Sequence, residues 1–188
     1  MKHEEIEDCL KKAVKGIKRI ESMAQFANDR QKMIDLVNHH LFPCGEDLIL
    51  LTLKGHLIIE NLLDTNLCRL LAVQNLPVGQ GRLGFKQKLY LLKEAVIQCE
   101  EPGPNSDLFS VIDALNELRN QIAHKLKNPL EIQRDTQIFV KNNRAKLGIK
   151  LGSDKPLSAQ LKACIIKLCN FLNKVMLHFF KLEQKNDE

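Results

Sequence analysis

The chain has 188 residues, 44% of them hydrophobic and 27% charged, with a formal net charge of +5, which suits one soluble domain with a sizeable core. Aromatics make up 5%, with one tyrosine and no tryptophan, and no useful length of sequence alternates with period two. Sandwich and barrel readings are therefore set aside in favour of an all-α fold.

About six helices are expected in chain order, forming a single domain over 1–188. The first spans 2–26, with Ile6, Leu10, Val14, Ile17 and Ile20 at helical spacing, and a shorter one covers 30–40. The opening "MKHEEIEDCLKK" lacks the basic-then-apolar layout of a signal peptide, and no unbroken apolar run approaches the roughly 18 residues of a membrane span. A cytoplasmic protein without a membrane partner is the expectation.

After Pro43, Cys44 and Gly45 break the chain, a strongly apolar segment over 46–73 is expected to be the central helix. Pro77, Gly79, Gly81 and Gly84 connect it to a helix over 85–98. The "EEPGPNSD" turn then offers Asn105 or Ser106 as an N-cap for the next helix. Beyond Asn128 and Pro129 come a helix over about 130–146 and a Gly-rich basic loop. Pro156 opens a C-terminal helix to about 185. Its stripe of Leu157, Leu161, Cys164, Leu168, Phe171, Leu172, Val175 and Phe179 is widened by Ile166, Cys169, Met176, Leu177 and Phe180. That width implies two-sided burial or a subunit interface.

Several motif-like stretches carry little. "GQGRLG", Gly79 to Gly84, matches GxGxxG but follows a helix and Pro77 rather than a strand, so it reads as a helix-to-helix loop. His39, His40 and Cys44 have no fourth partner at a zinc-like spacing, so no metal or cofactor is expected. The six cysteines, Cys9, Cys44, Cys68, Cys99, Cys164 and Cys169, contain no CxxC pair and read as buried free thiols. Basic residues outnumber acidic ones between Arg119 and Lys162; this could attract a polyanion, although such a run is more often a solvated helix face.

Two stretches bear more. In "LKGHLIIENLL", His56 and Glu60 lie one turn apart on an otherwise apolar helix, an arrangement that most simply reads as an intrahelical pair. In "LNELRNQIAHKL", Leu108, Val111, Ile112, Leu115, Ile122 and Leu126 form one stripe at roughly 100° per residue, with Arg119 near its middle. A guanidinium buried there must meet a carboxylate, a cluster of carbonyls, or a cavity open to water and ligand, and Glu60 is the nearest candidate in type. Asn120 and His124 share an adjacent ridge. Histidine can move a proton near neutral pH, arginine can stabilise charge growing on phosphate oxygens, and the amide can orient either group. These residues suit phosphodiester cleavage, which needs no metal when the ribose 2′-hydroxyl attacks. The structural reading of the same residues is a salt-bridged arginine and a helix-ending histidine.

"LRNQIAH" resembles the signature of the HEPN superfamily, an arginine, a polar residue and a following histidine on one helix of an up-and-down α-helical bundle. With "LKGHLIIENLL" and "RLGFKQKLYLLKEA", the likeness covers about 47–127 and also resembles, more distantly, the mannitol operon repressor family. The resemblance implies a metal-independent endoribonuclease with His124 as general acid or base, Arg119 as transition-state stabiliser and Asn120 as orienting residue. It further implies a homodimer joining two motifs across a cleft, and an antitoxin-like partner where such enzymes act as toxins. Glu60, with His56 beside it, is expected to support Arg119, and Lys125, Lys127 and Arg134 would line an RNA-binding rim. The repressor-like branch implies instead a non-catalytic scaffold acting through protein contacts.

Overall fold

The computed structural model describes residues 47–73, 83–98, 107–124, 128–150 and 154–186, with isolated positions at 24, 27, 28, 31, 32, 34, 35, 37 and 45. The helices expected over 2–26 and 30–40 lie largely outside the described residues. So do His39, His40, Cys9, Cys44, Cys99, the Gly79 and Gly81 part of the GxGxxG match, the Asn105 and Ser106 caps, Lys125, Leu126 and Lys127.

Five helices form the described bundle: α1 Leu48–Val73, α2 Phe85–Gln98, α3 Leu108–His124, α4 Pro129–Asn143 and α5 Leu157–Asn186. The fold is all-α. Three of the helix starts follow from local hydrogen-bonding chemistry. Asp47 caps α1, its Oδ1 accepting from Leu50 N at 3.0 Å, and this places the helix start just after the expected Glu46. At α2 the Gln87 side chain reaches back to accept from Gly84 N at 2.8 Å, so the last glycine of "GQGRLG" is a helix cap. Asn128 caps α4 by accepting from Glu131 N, with Pro129 in the first turn. The same asparagine donates to Glu131 Oε1 at 2.7 Å.

The end of α4 is equally local. Ile149 N donates to Arg144 O and Gly148 N to Ala145 O, and Gly148 has a φ of 61°. This Schellman arrangement needs a residue that tolerates the left-handed region, and it turns the chain toward α5.

The core lies chiefly between α1 and α5. These helices run in the same sense, since Gly55 meets Ile165, Asn66 reaches the Leu172 carbonyl and Arg69 approaches the Phe180 ring. The two helices come close at Gly55, where a Cβ would lie 2.5 Å from Ile165 Cδ1. Phe109 of α3 and Phe171 of α5 meet edge to face with centroids 5.0 Å apart. Four buried polar side chains return to their own helix: Thr52 donates to Leu48 O, Asn66 to Leu62 O, Thr136 to Ile132 O and Asn143 to Phe139 O, each at 2.8 Å.

Of the residues that widen the α5 stripe, Cys169 and Met176 are buried within the chain, whereas Ile166, Leu177 and Phe180 are half-buried. Cys164, Leu168, Phe171, Val175, Met176 and Phe179 are all buried among α5's neighbours. By mean hydropathy, one stretch of α5, Leu157–Lys181, is long and apolar enough to cross a bilayer, and 56% of its most apolar window is buried inside the bundle. A search for unbroken apolar runs passes over this stretch because Lys162, Lys167 and Lys174 interrupt it. The thiols of Cys164 and Cys169 are buried and free. Burial raises them to about 11 and about 12. Cys68 departs from expectation by being exposed.

Candidate functional site

The site is built where α1, α2 and α3 meet. On α3 the buried residues are Phe109, Val111, Ile112, Leu115, Asn116, Leu118 and Ile122, so the expected stripe is the packed face. Its polar member is Asn116 rather than Arg119. Arg119 is exposed, and its Nη1 donates to Asn120 Oδ1 at 3.0 Å. This corrects the expectation of a buried guanidinium. Helical angle sets the direction in which a side chain leaves the backbone, but a long arginine stem can cover apolar surface while carrying its charge to water.

The expected Arg119–Glu60 ion pair is not formed. Glu60 Oε1 instead accepts from Lys88 Nζ at 3.2 Å, and Asp64 Oδ2 accepts from the same ammonium at 2.9 Å. Lys86 makes the matching arrangement on the other side, 2.6 Å from Glu117 Oε1 and 3.8 Å from Asp113 Oδ1. The first turn of α2 thus ties one lysine to a carboxylate pair on α1 and another to a pair on α3. Both ammonium groups hold their protons more tightly than a free lysine. At Lys88 desolvation opposes this but is outweighed by the Asp64 and Glu60 bonds; at Lys86 the Glu117 bond is the largest cause.

Inside these clamps sits His56, 6% exposed. Its Nε2 donates to Asn116 Oδ1 at 3.0 Å, and its ring stacks on Phe85 with centroids 4.5 Å apart and planes 26° from parallel. His56 and Glu60 share a ridge, but the hydrogen bond goes to α3 instead of along α1. Burial lowers the imidazole's proton affinity, the Asn116 bond and Glu60 oppose that, and the Arg119 guanidinium lowers it further. His56, Glu60, Asn116 and Arg119 are therefore electrostatic neighbours even though Glu60 and Arg119 do not pair.

No family model, curated protein or solved structure matches this chain.

His124 ends α3 and is exposed, while Asn120 is half-buried. Arg134 lies on the solvent side of α4, its side chain 70% exposed and its Nε 3.9 Å from Asp135 Oδ1. Among the described residues, no cluster of three histidine, cysteine or acidic side chains is placed to hold a metal ion. A groove of about 660 Å³ between α2 and α3 is lined by Lys86, Tyr90, Lys93, Phe109 and Asp113 among others, but not by Arg119, Asn120 or His124.

Sequence reasoning missed Asn116, Phe85 and Lys88. Asn116 carried a readable signal, being a short polar residue on the packed edge of α3 that needs a buried partner. Phe85 and Lys88 had none, because their partners are on another helix.

Proposed function

We propose that this chain is a cytoplasmic, metal-independent endoribonuclease of HEPN type. The observation that carries the reading is the exposure of Arg119 and His124 together on the last two turns of a helix whose opposite face is packed into the core, with Asn120 accepting from the guanidinium. A base, an anion-stabilising cation and an orienting amide are thereby available to a substrate from solvent.

In the proposed reaction a His124 imidazole takes the proton of a ribose 2′-hydroxyl. The 2′-oxygen bonds to the adjacent phosphorus, and the bond to the 5′-oxygen breaks. Arg119 stabilises the charge gathered on the non-bridging oxygens. In a homodimer the second copy of His124 supplies the proton for the departing 5′-oxygen, leaving a 2′,3′-cyclic phosphate and a 5′-hydroxyl. Arg134 extends the cationic surface toward RNA, and an antitoxin-like partner would act by covering the same end of α3.

One observation favours a scaffold reading. A basic side chain in the last turn of a helix complements its unpaired carbonyls whether or not it does chemistry, and His124 is so placed. The two readings separate when purified protein is incubated with total RNA in EDTA and the new ends are mapped. Cyclic-phosphate and 5′-hydroxyl ends support the ribonuclease; RNA left intact supports the scaffold.

A further inference from the structure

His56 is buried beside Asn116, which lies one helical turn before Asn120 on α3. Its hydrogen bond to Asn116 joins it to α3 just before Arg119, and the stack on Phe85 covers one ring face. We infer that His56 is the proton-linked partner of a phosphate-binding site headed by Arg119, so that a phosphodiester bound at the guanidinium is accompanied by proton uptake at the imidazole.

The charges around the ring supply the link. From α1 it faces Glu60, whose carboxylate is shared with Lys88 of α2. From α3 it feels the exposed guanidinium of Arg119, three residues beyond Asn116 on the same helix. Among the described residues these are the charged groups that act on it, and they pull in opposite directions. With Arg119 unliganded, burial first and the guanidinium to a smaller extent lower the ring's proton affinity, its Nε2–H committed to Asn116. A diester anion on Arg119 offsets the positive charge opposing protonation, while Glu60 continues to favour it. The added proton goes to Nδ1, because Nε2 already carries one. Linkage makes the effect reciprocal: if binding the anion draws in a proton, lowering the pH tightens anion binding.

This inference depends on the proposal that Arg119 meets phosphate, and its test can fail separately from cleavage. The probe is a 2′-deoxy dinucleoside monophosphate, which keeps one diester charge across the titration and lacks the 2′-hydroxyl needed for cleavage. The His56 Cε1–H resonance, assigned with His56→Gln, is followed by NMR against pH with and without the probe. The expected result is an upward, saturable shift of the His56 midpoint. In Arg119→Gln the midpoint is already raised without the probe, and the probe adds nothing. A probe that perturbs resonances at the end of α3 while leaving the His56 midpoint in place overturns the inference, as does an Arg119→Gln protein titrating like wild type or a probe that does not bind. RNA cleavage by a protein failing this test removes the inference and leaves the ribonuclease; coupling without cleavage does the reverse.

Discussion

His56 and Asn116, 60 residues apart in the chain, meet at 3.0 Å in the interior of the bundle. This bond fixes α3 against α1 immediately before the turns that carry Arg119, Asn120 and His124. Replacing Asn116 with leucine leaves a buried N–H without an acceptor, at an expected cost of about 1–3 kcal/mol. Making both partners apolar, with His56→Phe and Asn116→Leu together, is expected to recover much of that loss. Urea denaturation of the singles and the double measures the coupling; strictly additive losses would show that the bond contributes nothing of its own.

The same histidine sets a pH dependence. Burial holds its native proton affinity below the ordinary value of 6.5, so in acid the unfolded chain takes up a proton that the native state resists. The resulting penalty is absent above about pH 7, grows as pH falls through the ordinary imidazole value, and levels off below the native one. His56→Gln is expected to lose less stability than wild type between about pH 7 and pH 5. Parallel unfolding curves for the two proteins over that window would contradict the assignment.

Gly55 tests the contact between α1 and α5. An added methyl would meet Ile165 Cδ1 at 2.5 Å and Cγ1 at 3.1 Å, and Ile165 is fully buried. Overpacking of this kind costs about 1–3 kcal/mol, of which the better helix propensity of alanine returns up to about 1 kcal/mol. Gly55→Ala should therefore lower the unfolding midpoint, and Ile165→Val should cost less in that background than in wild type. An equal cost in both backgrounds would mean that the two side chains do not compete for space.

Lys88 predicts an asymmetry. Its side chain is 12% exposed, whereas those of Glu60 and Asp64 are 32% and 52% exposed. Without the lysine, both carboxylates can turn to water; without the carboxylates, a largely buried ammonium is stranded. Lys88→Met is expected to cost less than about 1 kcal/mol, and Glu60→Gln with Asp64→Asn about 1–3 kcal/mol. Denaturation midpoints in the reverse order would reject this account.

These residues also show what the sequence could disclose. The span of α2 and the approximate extents of α1, α4 and α5 were legible because apolar spacing, Pro129, Pro156 and the glycine breaks all act locally. The packed face of α3 was legible for the same reason. Arg119 was misplaced because helical angle locates a Cβ, whereas the guanidinium lies at the end of a long stem. Glu60 was given the wrong partner because residue type names candidates for a buried charge without saying which helix arrives beside it. Lys88 comes from a helix whose apposition to α1 depends on tertiary packing. The exposed Cys68 shows the same limit, since an apolar-looking position on a long helix has two sides and only the neighbours decide which is covered.

The ribonuclease proposal turns most directly on RNA cleavage in EDTA by wild type, His124→Ala and Arg119→Ala compared at equal concentration. Both side chains are exposed, so the variants should unfold within about 0.5 kcal/mol of wild type. The expected result is cleavage by wild type, a loss of about 10²–10⁴-fold in His124→Ala and a loss of about 10²–10³-fold in Arg119→Ala. Equal activity in all three folded proteins, or none in any, would contradict it and make the end of α3 architecture.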